Sequence, residues 1–170
     1  SRTTLTAAVW VKLSTRSFAN DTVRIIGGGW GWYIQSDVKT YFGKPGTDEA
    51  SPAATNPIPD TGWHHVAVSY NGSTVTYYLD GAANGTASYT QTFGAGNYQI
   101  GTLPTFGGNF KGAMDDFRIY NRVLSAGEIT QLYRMGGGSK ANAASASARP
   151  TLQTGLVGYW TMDGKDIVGT

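Results

Sequence analysis

The chain contains no cysteine. That excludes a disulfide scaffold and the thiolate zinc sites. Charge is scarce too. Only 14% of the 170 residues are Asp, Glu, Lys or Arg, against roughly 25% in ordinary soluble domains. The 13 basic and 11 acidic residues leave a net charge of +2, and no run of Lys or Arg exists. A balance so close to zero gives nucleic acid no electrostatic footprint, so none is expected as a partner. No apolar stretch approaches the roughly 20 residues that cross a bilayer, so no membrane span is expected. The chain opens at Ser1 rather than Met, as a mature protein or a fragment would.

What is present points one way. Hydrophobic residues make up 40% and aromatic residues 12% of the chain, enough for a buried core and too much for disorder. The 24 glycines imply many turns. The length suits one sizeable domain. An all-β protein with a neutral, Ser/Thr-rich surface follows, and such a surface fits an extracellular or cell-surface protein. N-x-S/T triplets start at Asn20, Asn71 and Asn84. The latter two are Asn-Gly pairs, for which hairpin chemistry outweighs glycosylation.

Leu5 to Leu13 alternates like a strand, as do Thr22–Ile26, Trp30–Ser36 and Thr40–Phe42. Residues 43–61 hold Pro45, Pro52, Pro57 and Pro59 and predict a long loop. His64–Tyr70, Asn71-Gly72 and Val75–Leu79 predict a hairpin, and Asp80-Gly81 ends its second strand. Tyr98–Gly101 and Gly112–Tyr120 are later strands. Ser125-Ala126-Gly127-Glu128 is a capping box. Ile129, Leu132 and Tyr133 follow at helical spacing, and Gly136-Gly137-Gly138 is expected to stop the helix. Residues 136–154 are small and polar and predict a linker. Order is expected again from Gly155, in a last strand-like segment reaching Gly164.

At this point the residues resemble a known family. Gly62-Trp63-His64-His65-Val66-Ala67-Val68 with Tyr78-Leu79-Asp80-Gly81 resembles the centre of the laminin G-like, concanavalin A-like jelly rolls. So does Phe110-Lys111-Gly112-Ala113-Met114-Asp115-Asp116-Phe117-Arg118 through Ser125, and so does Ala8-Val9-Trp10-Val11-Lys12. The resemblance covers residues 1–135. It implies two packed antiparallel sheets in an extracellular module that is usually binding or adhesive. GLVGYWTMDG, at 155–164, resembles the opening strand of that fold, yet here it comes last. Three explanations stay open: a fragment of tandem repeats, a circular permutant, or a strand that completes a neighbouring subunit.

Each candidate site has a competing structural reading. His64 and His65 are adjacent on a strand, so they face opposite ways and form no acid–base pair. A glycosidase needs two carboxylates roughly 5–10 Å apart. The glutamates are Glu49, in the Pro-rich loop, and Glu128, in the capping box. Asp115 and Asp116 are adjacent and expected to diverge. No enzyme is expected. By resemblance, calcium is the one cofactor to consider, at Asp115, Asp116 and Asp163. The alternative is that these acids pair with Arg118 or Arg122 or cap turns. Trp10, Trp63 and Trp160 lie in segments resembling structural strands and are assigned to the core. Trp30 and Trp32, two apart on one strand face, and nearby Tyr41 form a candidate sugar-stacking platform; the alternative buries that face in the sandwich.

The last strand is the remaining candidate. A linker of 19 residues spans up to roughly 50–60 Å when extended at about 3.3 Å per residue. It can bring Leu156, Val157, Tyr159 and Trp160 to its own sandwich or to a neighbour's. The leading expectation is a non-catalytic structural or adhesive module. It would self-associate head-to-tail into a filament or surface array by strand complementation. The alternative is a carbohydrate-binding module of a larger cell-surface protein, with glycans as partners.

Overall fold

The computed structural model describes residues 4–18, 22–44, 53–90, 93, 96–102, 108–137 and 150–162. The elements are β1 (Leu5–Leu13), β2 (Val23–Gly27), β3 (Gly31–Ile34), β4 (Thr40–Gly43), β5 (Trp63–Tyr70), β6 (Thr74–Leu79), β7 (Ala82–Ser88), β8 (Gln99–Ile100), β9 (Gly112–Tyr120), α1 (Ala126–Gly137), α2 (Pro150–Gln153) and β10 (Leu156–Trp160). They build a larger sheet of order β10-β9-β1-β5-β6-β7 and a smaller one of order β4-β3-β2-β8. Every pairing is antiparallel. This is the expected all-β sandwich.

Alternation decides which side chains meet between the sheets. Val9 and Val11 of β1, Val66 and Val68 of β5 and Phe117 of β9 face Ile25, Trp32 and Phe42 of the smaller sheet. Residues with the opposite parity line the outer face of the larger sheet. There Ala8, Ala67, Tyr78 and Tyr120 form a second apolar layer with Leu124, Ile129, Leu132 and Leu152. Helix α1 covers that layer with the face its spacing predicts.

The capping box forms as expected. Ser125 Oγ accepts from the Glu128 backbone N–H (3.3 Å), and Glu128 Oε2 accepts from the Ser125 N–H (2.9 Å). Arg122 closes a two-pronged ion pair on Glu128, at 2.6 and 3.0 Å. Its Nε donates to the Thr154 carbonyl at 2.7 Å. The helix start and the approach to β10 are thus tied by one guanidinium.

The helix ends within the glycine run as expected, with Gly136 and Gly137 as its last residues. Gly136 sits against the Trp10 indole, where a side chain would collide. The linker is shorter than its composition suggests, because Pro150–Gln153 is helical and Leu152 is buried; residues 138–149 lie outside the described residues. β7 goes unpredicted because AANGTAS has little β propensity. It forms because Asp80 and Gly81 both take positive φ (49° and 78°) and turn the chain back on β6. Finally, β10 pairs antiparallel with β9 of its own chain, Tyr159 opposite Arg118 and Trp160 opposite Phe117. Strand complementation between molecules is not supported. The Asn121 N–H bond to the Gly155 carbonyl (2.8 Å) and the Arg122–Thr154 bond hold the strand where it is.

A methyl group at Gly136 must displace the Trp10 ring, which stacks on Tyr133 at 5.6 Å. Overpacking of this kind costs about 1–3 kcal/mol. Gly136→Ala is expected to lower the urea midpoint accordingly, with an unchanged m-value.

Candidate functional site: an aromatic platform on the sheet edge

Strand β9 carries one residue more than β1 between the pairs Ala8–Arg118 and Trp10–Asp115. The extra residue is Asp116, with φ 52°. A left-handed residue inside a bulge re-aims the side chains around it. Asp116 therefore joins Arg118 on the outer face, with Asp115 beside it, instead of diverging as simple alternation expects. Asp115 Oδ1 accepts from the Asp116 N–H at 2.9 Å.

Tyr159 of β10 lies across from Arg118 on that face. The Arg118 guanidinium sits 4.2 Å from the centre of the Tyr159 ring. The Tyr159 hydroxyl donates to Asp116 Oδ1, and Arg118 Nη2 is 3.9 Å from the same oxygen. The ring is thus held at its face by a cation and at its tip by a carboxylate, yet 43% of the residue stays exposed. A cation–π contact of this kind is worth about 0.5–1 kcal/mol near the surface. Burial first, and the Asp116 carboxylate second, raise the Tyr159 phenol above its ordinary value of 10.0.

Farther along the same face, Trp10 stacks on Tyr133 of α1 (5.6 Å, 21° between planes) and lies 5.5 Å from His65. Val157 and Met162, from the same C-terminal segment as Tyr159, are exposed apolar side chains. What this arrangement can do chemically is hold a fixed, partly open aromatic ring beside polar groups that already point into one network.

The residues singled out from the sequence fall differently. Trp30 and Trp32 are 4% and 0% exposed and belong to the core, so neither offers a face to a sugar. The reason is position: Trp32 lies on β3 inside the smaller sheet, Trp30 immediately precedes that strand, and both rings belong to the apolar cluster between the sheets. Tyr41 stacks on Tyr33 at 5.6 Å and donates to Asp37. Burial and that carboxylate push its phenol up to about 12. Trp160, assigned to the core, packs against it and lies 5.7 Å from the Phe117 ring, while Trp10 and Trp63 are half-buried.

Among the described residues no group of three or more His, Asp or Glu could hold an ion. Asp163 lies outside the described residues, and Asp116 is engaged by Tyr159 and faces Arg118, a poor setting for calcium. Glu49 also lies outside. Glu128 is held down to about 2, chiefly by Arg122, and serves as a helix anchor. Asp116 and Tyr159, which the sequence assigns to unrelated roles, are brought together with Arg118. Asp116 and Arg118 stand two apart on β9, the one signal in the sequence that they share a face; that Tyr159 lies opposite them follows only from the β9–β10 pairing.

Two packed antiparallel sheets with their edge strand in this register form a jelly-roll sandwich. Residues 1–130 match a laminin G family described as the concanavalin A-like lectin/glucanases superfamily. The chain belongs to that family. No curated protein matches it in sequence. Among solved structures, a putative carbohydrate binding protein from Bacteroides ovatus ATCC 8483 superposes with a TM-score of 0.67 at 16% identity, over 96% of this chain and 46% of that one. Domain 4 of a GH43 extracellular arabinanase from Geobacillus stearothermophilus, in complex with arabinotriose, gives 0.62 at 19% identity, over 78% and 68%. Trypanosoma rangeli sialidase gives 0.60 at 18%, over 80% and 23%. These likenesses show the fold. The chain spans under half of the Bacteroides protein and about a quarter of the sialidase. No helix among the described residues is long and apolar enough to cross a membrane.

With tyrosine-selective ¹³C labelling, the Tyr159 ring is expected to titrate above 10.0 in the folded chain. Asp116→Asn removes the second cause but not burial. The value should fall partway and stay above that of an exposed tyrosine.

Proposed function

We propose that this chain is a non-catalytic carbohydrate-binding module of an extracellular or cell-surface protein. The observation that carries the reading is the Tyr159 ring, held by Arg118 and Asp116 yet 43% exposed. A sugar ring presents C–H groups on one face and hydroxyls around its rim. A fixed aromatic face takes the first, and a carboxylate and a guanidinium take the second. Pre-organisation matters because a ring already immobilised loses little further entropy on binding.

The family and two of its structural likenesses support the same class of ligand, since their descriptions name lectins, carbohydrate binding and a bound arabinotriose. Enzyme chains occur among the likenesses too. The non-catalytic reading rests on this chain's own acids. Glycoside cleavage needs one carboxyl that keeps its proton near neutral pH. Glu128 is shifted the opposite way by Arg122, and Asp116 is committed to Tyr159. The extracellular assignment is supported by the neutral surface and by the extracellular arabinanase among the likenesses.

A glycan microarray followed by calorimetry on the best ligand tests this. Tyr159→Ala should weaken binding about tenfold or more, equivalent to ~1.4 kcal/mol. Tyr159→Phe keeps the stacking face and should lose only a few-fold. Binding that is indifferent to Tyr159→Ala, or no glycan bound at all, would overturn the reading.

A further inference from the structure

His64 and His65 leave β5 on opposite faces, and their surroundings treat a proton in opposite ways. His64 Nδ1 lies 2.8 Å from Asp80 Oδ2, and Nε2 lies 3.1 Å from Asp60 Oδ1. An ionised carboxylate only accepts hydrogen bonds, so both ring nitrogens must carry hydrogen to satisfy this geometry. Only the imidazolium has two. The Asp60 oxygen also accepts from the Gly62 N–H, and Arg16 adds positive charge nearby. Asp80 Oδ1 accepts from the His65 backbone N–H at 2.9 Å. One protonated ring thereby pins residues 60–62, β5 and the Asp80-Gly81 turn together.

That turn also receives helix α1. Thr130 Oγ1 donates to the Gly81 carbonyl at 2.9 Å, and the Tyr133 side chain lies against Gly81. On the opposite face, the His65 ring is buried between Trp10 (5.5 Å) and Tyr133 (6.1 Å). Its Nδ1 has no hydrogen-bond partner among the described residues. The charged groups acting on it are Asp80 and Arg118, and α1 presents it the Tyr133 ring. A charge placed there would be desolvated beneath the helix.

We propose that His64 and His65 together set a pH window for the docking of helix α1, which requires His64 protonated and His65 neutral. The direction of each titration agrees. Burial by itself lowers the His64 value, but the hydrogen bonds and charges of Asp80 and Asp60 outweigh it and leave the group above 6.5. Its contribution is full below 6.5 and is lost as pH rises through the folded value. Burial lowers His65 to about 4. Its contribution is lost as pH falls from 6.5 toward that value. Leu152 and Leu156 share the apolar layer under α1, so release of the helix extends to β10.

Imidazole ¹⁵N spectra and the methyl signals of Ile129 and Leu132, taken from pH 4 to 9, test the proposal independently of any glycan. Expected is a His64 ring with both nitrogens protonated at pH 6.5, titrating above that, while the helix methyls shift at both ends of the window. Asp80→Asn keeps an Asn-Gly turn and should lower the His64 value by removing the closer of its two carboxylates. Asp60→Asn removes the exposed partner alone and should lower it less. A His64 that is neutral at pH 6.5, or methyl signals that ignore both titrations, would overturn the proposal.

Discussion

Strand β9 must satisfy two neighbours at once, and the rest of the molecule is arranged around how it does so. It pairs with β1 on one side and β10 on the other. Each pairing carries a break in register, between Ala8 and Trp10 on one and between Leu156 and Gly158 on the other. The bulge at Asp116 adds local twist and places an acid where regular alternation would bury it or turn it away. Immediately after β9, Arg122 ties the cap of α1 to the entry into β10. The edge strand, the helix layer and the aromatic platform all inherit their positions from this one strand.

The outer face of the larger sheet is accordingly the chemically varied side of the molecule. The inner faces are apolar and well filled, and they give stability without offering a site. The outer face mixes an apolar layer, a buried neutral histidine, a tryptophan stacked on a helix tyrosine, and a cation beneath an open phenol ring. The Tyr159–Asp116–Arg118 network joins a phenol, a carboxylate and a guanidinium on that face, whereas the buried His65 Nδ1 finds no partner among the described residues. On the opposite face of β5 the His64 ring is clamped between Asp60 and Asp80.

Aromatic residues show most clearly how local pattern and tertiary position diverge. Trp30 and Trp32 follow three glycines at spacing two and resemble an exposed platform. Gly28 in fact lets the Tyr98 ring lie close over the backbone, and Tyr98 packs against Trp30 at 5.5 Å. The glycines serve close approach rather than exposure. Spacing says which residues share a face, but not whether the face is turned toward another sheet.

The sequence by itself determined the sandwich, most of its strands, the hairpin at Asn71-Gly72, the capping box and the family. These follow from periodicity, turn chemistry and short motifs, all of which act over a few residues. Only the tertiary structure decided that β10 returns to its own β9, that Trp30 and Trp32 are core, and that Asp116, Arg118 and Tyr159 form one network. Asp116 and Tyr159 are 43 residues apart in the chain, and a one-residue bulge decides which way the acid points. Register across a sheet is set by the sum of many backbone bonds and by the packing of both faces, so no local pattern contains it.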